Sequence, residues 1–355
     1  MRPTRVAVSK ARRTSCEISN RKEPGPFARI SLQANSASSA EANAGDDCAM
    51  PRYRFCILVV IPGLSFLAGQ SAAAPTIPLP EPGSEPGLIP ALVILGLFTT
   101  VVAAELVRPL RMRSGLTSRR WVGNLSLCIL SNGIFVLPTM TAFAAAFVSR
   151  SEQKSVLDMF ELPTTMRLVI AIIGLDALAY AQHRLLHRVD ILWRFHAVHH
   201  SDPEVDVTTT FRHHPVEAIF NGVLIGGVVL AIGFSPAEIA AYTWVSFVVE
   251  LVAHANLALP SWFGAIFGRL IVTPEFHRLH HSRVKAEANA NFGQAFSIWD
   301  TLLGTARARS PQDPRRLEFG LDQFLGQKFH LPHYLLAQPL LQRTTAPAAT
   351  AASRS

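Results

Sequence analysis

The sequence predicts an all-α integral membrane protein: a bundle of about four to five membrane-embedded helices, with a cytoplasmic cap of helices bearing histidine clusters. Three observations predict it. Apolar residues make up 49% of the 355 and charged residues only 16%, against roughly 25% charged in typical soluble proteins. The apolar residues gather into runs close to the ~20 needed to cross a bilayer as a helix. The thirteen histidines are absent from residues 1–182, and eleven of them fall between His183 and His281. A mean hydropathy of +0.25 excludes a disordered or collagen-like chain. Cys16, Cys48, Cys56 and Cys128 are far apart with no CxxC pair, which excludes a cysteine-ligated metal site.

Taken in order, residues 1–49 are polar, basic and rich in Ser, Ala and Asn. They read as a disordered N-terminus, or as untranslated if Met50 is the true start. From Met50, Pro-Arg-Tyr-Arg leads into an apolar stretch from Phe55 to Ala68 and then Gly-Gln-Ser-Ala-Ala-Ala. These are the parts of a signal peptide; over 50–74 a retained signal anchor reads equally well. The Pro-rich segment 75–90 is a linker, and the membrane domain follows over 91–306.

Leu88 to Val107 is the first further span, with Glu105 near its end. The second runs from about Trp121 to Val148, interrupted only by Asn124 and Asn132. Met166 to about Gln182 is the third and contains Asp176. Val216 to Phe234 and Pro236 to Leu259 form a hairpin broken at Gly-Phe-Ser-Pro, with Glu250 and His254 inside its second arm, so these two read as dipping in and returning. Over 307–355, Phe324 to Leu336 reads as an amphipathic segment docked along the membrane surface, followed by a disordered tail. His330 and His333 are expected to be exposed or interfacial.

The connection from Arg108 to Arg120 is strongly basic and is therefore expected on the cytoplasmic side. Two spans later the chain returns to that side at His183, and the hairpin brings the segment after Pro260 back as well. All the histidine clusters then share one face. The expected location is a multi-pass protein of a bacterial inner membrane.

Three clusters carry chemistry. His183 and His187 are spaced i, i+4; His196, His199 and His200 are spaced i, i+3, i+4, as are His277, His280 and His281. On a helix these spacings set the rings on one face, so imidazoles converge on a common ion. Asp176 and Tyr180 precede His183 on its face, and Asp176 is expected to hold a ligand imidazole through its second nitrogen. His254 stands in a nearly apolar run and joins the metal-ligand candidates. His213 and His214 are read as surface or supporting residues, with His214 the better candidate; Asn256 also joins the supporting set. Eight clustered histidines plus His254 exceed the four ligands of one zinc site and suit two ions. Imidazole accepts Zn, Cu, Fe or Ni, so ligand type alone leaves the metal open.

The motifs run in a fixed order: Asp176-x3-Tyr180-x2-His183-Arg-x2-His187, then Leu192-Trp193-x-Phe195-His196-x2-His199-His200-Ser201. Thr210-Phe-Arg212-x-His214-Pro-x-Glu217, His254-x-Asn256 and Thr273-Pro-x2-His277-Arg-x-His280-His281-Ser follow. Asn291-Phe-Gly293 and Trp299-Asp300-x3-Gly304-Thr305 close the series. Over about residues 105–306, with a core at 172–306, the chain resembles the fatty acid hydroxylase superfamily of integral-membrane sterol desaturases and C4-methyl sterol oxidases. The resemblance implies a di-iron centre of two non-haem iron ions, whose sites zinc can occupy in purified material. It implies O2-dependent hydroxylation or desaturation of a lipid, whether fatty acyl chain or sterol, drawn from the bilayer. By position, His183, His187, His196, His199, His200, His277, His280 and His281 match the family's histidine boxes, and His254 its additional histidine. His213 departs from the family, where an aromatic residue usually precedes the His-Pro.

No haem, flavin or cysteine-ligated iron–sulfur signature is present, so electrons are expected from an external ferredoxin, reductase or cytochrome b5-like donor. The alternative is a non-redox membrane metal-binding or metal-transport protein, which would string histidines along the spans. Nucleic-acid binding through the net charge of +8 is not expected, because the basic residues flank apolar runs rather than interleave with aromatics.

Overall fold

The computed structural model describes residues 88–114, 117–131, 156–307 and 313–342, all within one compact unit, Pro75–Ser355. The expectations for residues 1–49 and 50–74, most of the linker, the second half of the second span and the C-terminal tail lie outside the described residues.

Long helices dominate: α1 (Leu88–Val107), α2 (117–131), α3 (Thr164–Leu186), α5 (Pro215–Ile232) and α6 (Pro236–His254). Shorter ones complete the fold: α4 (Asp190–His200), α7 (Ser261–Phe267), α8 (Pro274–His280), α9 (Lys285–Ala288), α10 (Ile298–Leu302) and α11 (Pro332–Leu341). Among the described residues there is no strand, only isolated bridges such as Pro109 with Leu257.

Among the described residues four helices, α1, α3, α5 and α6, are long and apolar enough to cross a membrane, at 18 to 23 residues each. At 1.5 Å per residue they measure about 27–35 Å, which matches a hydrocarbon core of ~30 Å. Their large apolar side chains point outward: Ile89 and Leu95 on α1, Val169 and Ile173 on α3, Val223 and Leu230 on α5 are all exposed. In water such a surface would be severely unfavourable; against lipid it is the expected one.

The sequence sets the helix ends. α5 begins at Pro215, whose missing N–H costs nothing in a first turn, and His214 caps it by accepting from the Val216 amide. α5 stops at Gly233, whose φ of 86° is left-handed and suits glycine. Ser235 and Glu238 then form a reciprocal capping box over Pro236 to start α6. Leu175 and Ala171 of α3 pack with Val229, Phe234, Ile239 and Tyr242 in the core of this end. Arg167 fastens the hairpin to α3 by pairing with Glu238 at 3.0 Å and donating to the Gly233 carbonyl.

At the opposite end, α6 stops at His254, five residues earlier than expected, because the next segment binds the α1 connection instead of continuing the helix. Leu110 N donates to the Asn256 carbonyl, and Asn256 exchanges two further bonds with the Arg111 backbone. Glu105, the single acid of α1, is fully buried here; it accepts from the Asn256 and Val207 amides and pairs with Arg113 at 2.8 Å. The basic connection after α1 therefore lies at the same end as the C-termini of α3 and α6.

Arg120 of α2, fully buried, pairs with Asp202, Asp206 and Glu204 in the loop after α4. Arg212 donates to the Val198 carbonyl, Asn124 Oδ1 and Ser201 Oγ. Buried charges of this kind must be paired and hydrogen-bonded. The two arginines clamp α2 to the end of α4 that carries histidines.

The C-terminal segment docks, but with a correction: His330 is fully buried rather than exposed, while His333 is exposed as expected. α11 packs on α4, where Gln338 donates to the Ala197 carbonyl and accepts from Ser201 Oγ. Leu335 meets Leu127 and Val198. Gly123 of α2 is pressed so close that a Cβ there would stand 2.1 Å from the His330 carbonyl oxygen.

Candidate metal centre

Four helices deliver histidines to one chamber. His183 lies near the C-terminus of α3, with His187 as its C-cap residue, and His196, His199 and His200 lie along α4. His254 is the last residue of α6; His277 and His280 lie on α8, with His281 capping it. Thr273 starts α8 by accepting from the Phe276 amide over Pro274, which sets the register that turns all three imidazoles of this segment inward. All nine rings are buried.

They divide into two groups. His183, His187, His196, His200 and His280 form one; His199, His254, His277 and His281 form the other, each group with its ligand atoms within 4.8 Å of one another. The Nε2 atoms of His183 and His196 are 3.1 Å apart, as are those of His187 and His200. In the second group, His254 Nε2 lies 3.2 Å from His199 Nε2 and 2.9 Å from His277 Nε2.

The outer nitrogens decide which tautomers are present. His183 Nδ1 donates to the Phe292 carbonyl at 2.9 Å, His280 Nδ1 to the Ala290 carbonyl at 2.7 Å, and His196 Nδ1 to Glu217 Oε1 at 2.9 Å. His254 Nδ1 donates to the Glu250 carbonyl at 2.9 Å. These oxygens only accept, so in each neutral ring the proton is on Nδ1 and the Nε2 lone pair faces the chamber. His280 Nε2 is buried with no hydrogen-bond partner among the described residues.

Protons are a poor answer to this crowding of lone pairs. Burial drives His187, His199, His200, His277 and His281 well below the usual histidine value, with neighbouring imidazoles adding to the effect. Burial holds His280 down at about 3, against the pull of the Ala290 carbonyl. Converging buried imidazoles, four of them with the outer nitrogen already engaged, are the arrangement that divalent metals take.

The supporting residues are less direct than the sequence suggests. Asp176 does not reach an imidazole. Its carboxylate accepts from the Ala295 and Phe296 amides, Trp299 Nε1 and the Tyr242 hydroxyl, and so fixes the loop whose Phe292 carbonyl holds His183. Tyr180 bonds Thr305 Oγ1 at 2.8 Å and meets the Phe292 ring edge-on. Asn256 ties α1 to the end of α6, and His214 caps α5 and bonds the Leu336 carbonyl at 3.2 Å. None of the four hydrogen-bonds a clustered histidine.

Sequence reasoning missed Glu217 as the carboxylate that does touch one. It accepts from both His196 and His213, its Oε2 is buried without a partner, and His213 stacks on His199 at 4.4 Å and 14°. Burial works against a charge on His213, but the Glu217 carboxylate outweighs it and raises its pKa. The signal was available: an acid in the first turn of an otherwise apolar span, four residues after a histidine.

The centre forms one end of a cavity of about 880 Å³. His183, His196, His199, His254 and His277 line that end, and apolar residues line the rest, among them Ile94 and Phe98 of α1, Leu175 of α3, Ile225 of α5 and Ile239 and Phe247 of α6. Asn221, Ser246, Glu250 and Gln294 interrupt the apolar lining.

A sequence model of the family described as fatty acid hydroxylase matches residues 168–305, which include all nine clustered histidines. An ornithine lipid hydroxylase of Rhizobium tropici is 31% identical over 184 residues, 51% of this chain and 52% of that protein. Alkylglycerol monooxygenases of Xenopus tropicalis and Homo sapiens are 26% and 24% identical, over 56% and 46% of this chain and 42% and 36% of theirs. The chain thus spans about half or less of the length of these relatives. No solved structure matches it.

Proposed function

We propose, from the match of residues 168–305 to the fatty acid hydroxylase family, that this chain is a membrane-bound di-iron oxygenase that hydroxylates or desaturates a lipid with O2 and external electrons. One observation carries the reading: two groups of buried imidazoles, with ligand atoms within 4.8 Å of one another in each group, close one end of an apolar cavity between membrane helices.

His183, His187, His196, His200 and His280 would hold one iron, and His199, His254, His277 and His281 the other. Bound there, the pair would supply O2 activation and the oxidising power to break an unactivated C–H bond. The chain's own residues supply the rest. Carbonyls of Phe292, Ala290 and Glu250, with the Glu217 carboxylate, orient the ligand rings and keep their protons on the outer nitrogens. The cavity wall from Ile94 to Phe247 excludes water and holds a hydrocarbon chain, and the substrate enters sideways from the bilayer. The centre lies on the cytoplasmic side, where the basic segment after α1 offers a docking face to an anionic electron donor such as a ferredoxin, reductase or cytochrome b5-like protein.

The test is comparative lipid analysis of cells with and without the gene, then turnover by purified protein given iron, a chemical reductant and O2. A hydroxylated or newly unsaturated lipid that depends on the gene, and is lost in His199→Ala and His280→Ala, is expected. Full activity in both variants at full metal content would overturn the reading.

A further inference from the structure

A second depression lies on the opposite face of α3 from the cavity. The cavity takes Leu175, Ala179 and Gln182, whereas this groove of about 530 Å³ takes Ala177, Ala181, Arg184 and Arg188. A two-residue offset places the sets roughly 200° apart around a helix.

The small side chains of Ala177 and Ala181 form the groove floor, and Trp299, Leu302 and Leu303 form a wall. Leu302 and Leu303 are 67% and 53% exposed, too much apolar surface for water but suited to hydrocarbon. The groove follows the last turns of a candidate span that ends at Leu186, so its alanine end lies at hydrocarbon depth and its arginine end at the headgroups. Arg188 is exposed, and Arg184 Nε is buried without a partner while its Nη1 donates to the Tyr180 hydroxyl. No Asp or Glu is among the lining residues.

We infer that this groove binds one anionic phospholipid of the surrounding membrane, an acyl chain along Ala177 and Ala181 and the phosphate at Arg184 and Arg188. A zwitterionic lipid would satisfy the alanines but bring no net negative charge to the two arginines, of which Arg184 has an acid near it, Asp300 behind the groove. Guanidinium is suited to phosphate through paired donors, and a basic residue at a membrane surface attracts anionic lipid by about fivefold in occupancy. The inference does not depend on the chemistry of the metal centre.

The experiment places a photo-crosslinking amino acid at Leu302 in the full chain, in nanodiscs of equal phosphatidylglycerol and phosphatidylcholine. Crosslinked lipid is identified by mass spectrometry. A crosslinked ratio of phosphatidylglycerol to phosphatidylcholine about fivefold or more above their bulk ratio is expected. Arg188→Gln, at an exposed position, should cut the enrichment severalfold; Arg184→Gln with Arg188→Gln should return it to the bulk share, and the paired lysine substitutions should keep most of it. A bulk ratio in the unmodified groove, or enrichment unchanged in the paired glutamine variant, overturns the inference. So does loss of both lipids alike, which would make the groove a mere hydrocarbon contact.

Discussion

The five-histidine group and the four-histidine group share a chamber but are held differently. In the first, His183, His196 and His280 each donate from Nδ1 to a fixed oxygen, on Phe292, Glu217 and Ala290. In the second, only His254 does so. His199, His277 and His281 have buried Nδ1 atoms with no hydrogen-bond partner among the described residues, and ring contacts hold them, chiefly His199 stacked on His213. Directional bonds fix both tautomer and ring angle, whereas stacking fixes the plane but leaves the tautomer open. The first group is therefore preorganised, and the second is left to be set by whatever ion it binds.

The largest effect should come from removing one ligand in each group. His280→Ala and His199→Ala should each lower turnover by at least about 100-fold and metal content from two equivalents to one, read by elemental analysis of purified protein. Loss of both ions in either variant would mean that the groups are not independent. Next, Glu217→Gln removes the charged acceptor of His196. A loss of about 10–100-fold in metal affinity is expected, confined to one of two phases in a chelator competition; equal weakening of both phases would break the contrast.

His213 separates stacking from hydrogen bonding. His213→Phe keeps a ring against His199 and should weaken the second ion only slightly. His213→Ala should weaken it by several-fold more, as a lost aromatic pair costs ~0.5–1.5 kcal/mol; identical titrations for the two would show that stacking does not hold this group. The smallest effect lies outside the centre. Burial holds His330 down at about 4, below the ~6.5 of an unfolded histidine. Its contribution to stability is complete above about 6.5 and is lost as pH falls toward 4. The melting temperature should drop over that range, and drop less in His330→Phe.

The clustering of the histidines was legible because its signal is local: i, i+3 and i+4 spacings survive into the fold as one helix face. The four described spans were legible for a similar reason, since a lipid-facing helix advertises itself by composition. What orients the rings was not. The carbonyls of Phe292, Ala290 and Glu250 are backbone atoms that any residue type would offer. Asp176 resembled a direct partner because it shares a helix face with His183, yet its carboxylate binds a loop more than a hundred residues later in the chain. The pairing of Arg120 with Asp202 and Asp206 likewise joins segments that no periodicity connects. The end of α6 was misplaced for the same reason: Ala255 to Leu257 are apolar enough to continue the span, but Asn256 is claimed by the α1 connection.

The contact between Gly123 and the His330 carbonyl bears on where this chain can be cut. Measured by histidine motifs, the protein could end soon after Thr305, and the tail would look like a convenient place to trim or to fuse a tag. But the tail is a latch whose strike plate is a bare glycine on α2, and the latch bears on α4, the helix that presents His196, His199 and His200. Removing residues 335–342 would expose Leu127 and Val198 and take away the Gln338 bond to the Ala197 carbonyl. A tag belongs beyond that point, and any side chain added at position 123 would spring the latch from the other side.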